Sequence, residues 1–314
     1  MCMLNKRKRS TLTIALLSAV FVLGAVFAIH NYLTNQISYT LNDTLPNGGG
    51  KRARVILLGG QSNASGCSID AYLKKNVPEE KYTQYENGYD NVYINYLSGQ
   101  NISEGFVKCS TAQGELGGFF GPELGLAEKL NEMYPNEMFF IIKCAWGGTN
   151  LYEQWLSPSS KGKTGKEYKA FVAFVQNSID YLISKDYDIK IEGMCWMQGE
   201  SDSFMMETSS AYGEHLENFI KDIRKKFSKY AADDGIAFID AYIAQNPAYW
   251  VYYEGVNQGK AKVAQLSHLN SLVDTSELSC SNEPENTPDI PHYDSLSEIK
   301  LGHLFALHLD AYLA

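Results

Sequence analysis

The feature that most constrains this chain is an apolar run that ends abruptly in small and polar residues: Arg54-Val55-Ile56-Leu57-Leu58-Gly59-Gly60-Gln61-Ser62-Asn63. Four consecutive branched apolar residues suit a strand covered on both faces, and the two glycines permit the backbone angles of a sharp turn. Such a turn sets Ser62 at the carboxyl edge of a sheet, where open α/β sheets place their sites. Taken alone, the segment reads equally well as a strand followed by a Ser/Asn helix cap.

Other segments extend the pattern. Strand-like runs fall at 55–58, 91–97, 138–144, 189–197, 236–240 and 272–278. Between them lie amphipathic stretches, one through Tyr168, Phe171, Val172, Val175, Ile179, Leu182 and Ile183, another through Tyr212, Leu216, Phe219, Ile220, Ile223, Phe227 and Tyr230. Shorter helices are expected after Pro122 and Ser295 and within 259–270. The alternation predicts an α/β fold with a doubly wound, mostly parallel sheet and helices on both faces, a three-layer sandwich. Residues 64–120, rich in Tyr, Asn and Gly, read as an insertion near the site.

The amino terminus stands apart. Lys6-Arg7-Lys8-Arg9 precedes an uncharged, mostly apolar stretch from Leu12 to Ile29, close to the ~20 residues that cross a bilayer. The flanking charge predicts a cytoplasmic start and export of the rest. A retained membrane anchor is the expected form of residues 1–30, with a cleaved signal peptide as the alternative. Residues 31–53, with Pro46-Asn47-Gly48-Gly49-Gly50, read as a tether, leaving 54–314 as one large domain.

The formal charge of −9 becomes −13 once the four cations of residues 1–30 are set aside, which argues against nucleic acid or anionic membrane surfaces as partners. Cys67, Cys109, Cys144, Cys195 and Cys280 remain beyond the amino terminus, an odd count that leaves at least one thiol free or paired between chains. No CxxC, HExxH, EF-hand or phosphate-loop spacing is present, so neither a metal nor an organic cofactor is expected.

Three more strand ends run into turns or amide-rich loops. Ile142-Lys143-Cys144-Ala145-Trp146-Gly147-Gly148-Thr149 is one, Trp196-Met197-Gln198-Gly199-Glu200-Ser201-Asp202 another, and Asp289-Ile290-Pro291-His292 precedes the final helix. With Gly60-Gln61-Ser62-Asn63 these blocks resemble, in order and over roughly residues 54–310, the SGNH hydrolase superfamily, and within it the carbohydrate acetylesterases that include sialate O-acetylesterase-like domains.

The residues support the chemistry that the resemblance implies. A hydroxyl needs a base to act as a nucleophile at neutral pH, and His292 is the expected base for Ser62. Asp289 would hold the imidazole tautomer, with Asp294 as a competitor. His215, His268, His303 and His308 fall in or near predicted helices, where packing or exposure is their expected role, and His30 lies at the membrane boundary. The resemblance further implies an oxyanion hole made by the amides of Ser62 and Gly147, or its neighbour Gly148, and by the side chain of Gln198. Gln61 and Asn63 would support the nucleophile turn. Glu200 and Asp202 would brace their loop, a more economical role than a glycosidase pair.

The expected partner is an acetylated glycan or sugar, hydrolysed by an exported serine esterase. An inactive carbohydrate-binding protein of the same fold and a sugar O-acetyltransferase are the rival readings. Tyr249-Trp250-Val251-Tyr252-Tyr253 offers a stacking face for a sugar or simply packs. No arginine falls on an expected active-site loop, which tilts the substrate toward a neutral glycan, although Lys143 could supply a charge for a sialate.

Overall fold

The computed structural model describes residues 41, 45–285 and 290–313. Six strands form the parallel core of the sheet: β1 Arg52–Gly60, β2 Val92–Ser98, β3 Phe139–Ala145, β4 Asp188–Met197, β5 Ala237–Ala241 and β6 Asn270–Val273. Their order is β6-β5-β4-β1-β3-β2, and two-residue strands at 101–102 and 107–108 add antiparallel edges to β2. β1 lies between β3 and β4, and the chain leaves β1 toward β2 on one side but leaves the adjacent β4 toward β5 on the other. This is the topological switch point of a doubly wound sheet.

The central strands are as apolar as their position demands. All seven residues of β3 and all but the first of β1 are buried. Alternation then assigns the faces. Trp196 of β4 packs on Phe219 at 4.6 Å and against Trp155 at 5.1 Å, on the side of α3 (Lys166–Ser184) and α4 (Met206–Lys226). Gly193, three residues earlier and so on the opposite face, meets Leu309 of the last helix, Ser295–Asp310. Helices therefore cover both faces, as the sequence predicts.

The helices expected after Pro122 and Ser295 form as α2, Glu123–Met133, and α6, Ser295–Asp310, while the one expected within 259–270 lies earlier, as α5 at Tyr253–Ala264, and a single turn, α1, forms at Ser62–Ser65. α2 and α6 cross so closely that a methyl group on Gly302 would lie 2.2 Å from the Pro122 carbonyl, so only hydrogen fits there.

Several boundaries differ from expectation. Residues 45–51 are not the end of a tether: Leu45 is buried, and Gly48 and Gly50 donate to the carbonyls of Lys185 and Asp186 at 2.7 and 2.8 Å. The last strand ends at Val273 rather than near Leu278, because the Asp274 carboxylate takes the Ser276 amide at 2.9 Å and turns the chain. The stretch 64–120 is only partly an insertion. It holds helices at Asp70–Asn76 and Glu79–Asn87 but also the core strand β2.

The span expected at Leu12–Ile29 lies outside the described residues. Among those described, no helix is long and apolar enough to cross a membrane.

Candidate active site

At the switch point, β1 ends on Gly60, whose φ of +139° is a conformation that suits glycine. A methyl group there would stand 1.9 Å from the Met197 carbonyl oxygen. Gly60→Ala is therefore expected to cost about 3 kcal/mol or more, read as a lowered urea midpoint. Past the turn, Ser62 is the first residue of α1, whose start carries no side-chain cap, so the hydroxyl is not spent on capping. The Ala64 and Ser65 amides bond to the Gln61 carbonyl and Gly66 N–H to the Ser62 carbonyl, which fixes the turn.

Ser62 lines a cavity of about 440 Å³ together with Gly147, Gly148, Gln61, Glu115 and His292. His292 arrives on the segment before α6, where Cys280 and Tyr293 form an isolated antiparallel bridge. The two neighbouring residues tie these segments together, since Tyr293 N–H donates to Asn63 Oδ1 at 3.2 Å. Asn63 Nδ2 in turn donates to Glu200 Oε1 at 2.8 Å. One buried carboxamide thus sets the nucleophile turn, the histidine segment and the loop after β4 in register.

Asp294 caps α6, its Oδ1 accepting the Ser297 amide at 2.7 Å. Asp289 lies outside the described residues. No other described histidine lines the cavity: His303 pairs with Glu128 at 2.7 Å, His308 bonds Ser271 at 2.7 Å, and His215 packs against Tyr152.

Gln198 requires a correction. Expected as an oxyanion donor, it is 0% exposed and does not line the cavity. Its Nε2 is spent on Asp202 at 2.6 Å, the Thr149 carbonyl at 3.1 Å and Gln61 Oε1 at 3.2 Å. Its Oε1 accepts the Tyr212 hydroxyl at 2.9 Å. A carboxamide with every polar atom committed inside the fold has none to offer an oxyanion. Gln61 does bring a side-chain amide to the cavity wall, and its Oε1 accepts the Ser201 and Gly199 amides at 3.1 and 3.3 Å. Those donors are backbone N–H groups, so the orientation of the Gln61 amide is fixed by chemistry.

Glu200 and Asp202 do not line the cavity either, so this pair is not placed for glycosidase chemistry there. Asp202 takes the Leu151 and Tyr152 amides at 2.9 and 3.1 Å as well as Gln198, and so braces the turn that follows Gly147-Gly148. Burial pushes its carboxyl up to about 6 despite these hydrogen bonds. Burial also raises Glu200, against the opposing pull of the hydrogen bond from the Asn63 amide and of the Lys260 charge.

Several cavity residues were not singled out from the sequence, Glu115 and Phe204 among them. Glu115 sits on an irregular loop, where its only signal is a lone acid within Gly114-Glu115-Leu116-Gly117-Gly118. Phe204 is 55% exposed and packs at 5.4 Å on Trp250, which is itself 6% exposed. Trp250 is thus mostly packed, and Phe204 is the ring offered to solvent. None of the described cysteines forms a disulfide; Cys67 lies at the cavity, and Cys109, Cys144 and Cys195 are buried. Among the described residues no group of three or more His, Cys, Asp or Glu side chains could hold a metal ion.

The sequence pattern of the carbohydrate esterase family described as sialic acid-specific acetylesterase matches residues 52–311. The chain belongs to this family. It is accordingly a carboxylic ester hydrolase, and the esterase body spans the whole described sheet. No curated protein sequence matches it.

Solved structures share the esterase's fold at low identity. A protein of Arabidopsis thaliana superposes with a TM-score of 0.61 at 18% identity, over 86% of this chain and 100% of its own. NanS gives 0.62 at 14%, over 84% and 98%. A carbohydrate acetylesterase from Xanthomonas citri gives 0.58 at 15%, over 82% of this chain and 56% of its own length.

Proposed function

We propose that this esterase removes O-acetyl groups from carbohydrates with Ser62 as nucleophile and His292 as general base. The observation that carries this reading is the shared cavity: Ser62, His292 and Gly147 line one concave site, and the hydrogen bond between Asn63 and Tyr293 fixes the spacing of the first two. His292 takes the Ser62 proton as Oγ attacks the acetyl carbonyl. The resulting oxyanion is met by the backbone N–H groups of Ser62 and Gly147. Collapse expels the sugar alkoxide, which receives the proton from His292 and leaves an acetyl-serine. Water, deprotonated by His292, then releases acetate.

Asp289 is proposed as the acid that orients His292, from its place three residues earlier. The family supports this substrate class, and a carbohydrate acetylesterase from X. citri shares the fold. Phe204 beside Trp250 adds an apolar face of the kind sugars stack on. Acetate release from a panel of acetylated glycans tests the reading, and a folded protein that releases none would refute it.

The basic cluster and the apolar stretch 12–29 support a body held outside the cytoplasm by a single anchor, with no nucleic-acid partner for its acidic surface. Cell fractionation with sequencing of the mature amino terminus checks this. Recovery in the membrane fraction with Met1 or a residue near it retained is the expected result, and a start near residue 30 would replace the anchor with a cleaved signal.

A further inference from the structure

We infer that Glu115 makes this site select uncharged acetylated sugars over sialates, a proposal that rests on the esterase reading of the same cavity. Glu115 is fastened to the nucleophile turn, because its N–H donates to the Gly66 carbonyl at 2.8 Å and its Oε2 accepts the Ser65 hydroxyl at 2.6 Å and the Cys67 thiol at 3.4 Å. Its carboxylate stands directly over Gly147: a methyl group on that glycine would lie 2.7 and 2.8 Å from the two carboxylate oxygens. The side-chain stem is equally confined, since a methyl group on Gly99 would meet Glu115 Cγ at 2.5 Å. A fixed negative charge therefore occupies the wall beside Ser62 and His292.

Among the described residues, no ammonium or guanidinium group at the cavity offsets it. Neither lysine nor arginine is among the residues lining the cavity. Lys143, which could have held a substrate carboxylate, is fully buried and bound to Glu123 at 2.7 Å and to the Gln113 carbonyl at 3.0 Å. Lys260 is likewise buried against Asp240 at 2.6 Å. Arg52 and Arg54 pair with Glu192 at the opposite end of β1, and Arg224 holds the Ile236 and Leu269 carbonyls and Asn270. A sialic acid brings a carboxylate, and here it would meet a like charge without a guanidinium or ammonium to balance it. A neutral sugar brings hydroxyls, for which a carboxylate is a strong acceptor.

The test compares kcat/KM for an acetylated xylo-oligosaccharide with that for an O-acetylated sialic acid in the full-length protein, Glu115→Gln and Glu115→Asp. Any effect of the Glu115 charge on the oxyanion is common to both substrates and cancels in the ratio. The wild type should prefer the neutral substrate. Glu115→Gln should shift the ratio toward the sialate by about tenfold, and Glu115→Asp, which keeps the charge, should stay near wild type. Raising the ionic strength from about 0.05 to about 0.5 M should shift the wild-type ratio the same way and leave that of Glu115→Gln almost still. A wild-type preference for the sialate, or a ratio unmoved by Glu115→Gln, overturns the inference while leaving the esterase reading intact. Activity on neither substrate, or activity that survives loss of the Ser62 hydroxyl, overturns the reading on which it rests.

Discussion

Ser62→Ala is expected to lower acetate release by about 10⁴-fold or more while leaving the urea midpoint almost unchanged. The size follows from what is lost. Without the hydroxyl no acetyl-enzyme forms, and only the oxyanion donors and the bound geometry remain to favour attack by water. The fold is spared because Ser62 is not a cap: α1 starts without a side-chain hydrogen bond, and the turn is held by backbone bonds to Gln61 and Ser62 that alanine keeps. Labelling by a fluorophosphonate probe gives a second readout, since the wild type should be labelled at Ser62 and the variant should not. Wild-type acetate release by a folded Ser62→Ala protein would place the nucleophile elsewhere, and absence of labelling in the wild type would favour a carbohydrate-binding protein over an enzyme.

Asp202→Ala is expected to be the most damaging change outside the cavity, costing about 3–5 kcal/mol of stability. The carboxylate gathers the Leu151 and Tyr152 amides and Gln198 Nε2 in a fully buried place, and truncation orphans those donors. Activity should fall as well, by about 10²-fold in the protein that remains folded, because the turn bearing Gly147 loses its brace. Denaturant titration separates the two effects. The same carboxyl sets a pH signature. Burial raises it from 3.8 to about 6, so the folded chain binds more protons than the unfolded one between those values. This group therefore makes stability fall as pH climbs from about 4 to about 6, a slope that should be shallower in Asp202→Ala, where the Asp70 and Asp240 carboxyls, also raised to about 6, keep the remainder.

The sheet was readable from the sequence because its central strands are buried on both faces and so carry uninterrupted apolar runs. The same logic exposed Ser62 and His292, which stand where such runs or their following loops break off. Less was readable wherever the outcome depends on which way a side chain points. Gln61 and Gln198 are both amides at strand ends, and nothing in their order says that one faces the cavity while the other is consumed by Asp202, Thr149 and Tyr212. Glu115 belongs to a loop without periodicity, and it reaches the site through backbone bonding to Gly66 that no motif encodes. The packed residues 45–51 escaped notice for a similar reason, since their glycines read as linker yet hydrogen-bond the turn before β4.

The segment from Ile290 onward is pinned near both ends of β1. At one end Tyr293 is bonded to Asn63, and at the other Arg54 donates to the Leu313 carbonyl. The proposed nucleophile, Ser62, is thus made more than two hundred positions before its proposed base, His292, and the two can meet only once the segment carrying Tyr293 has docked beside β1. Chains truncated ahead of that segment should therefore remain chemically silent.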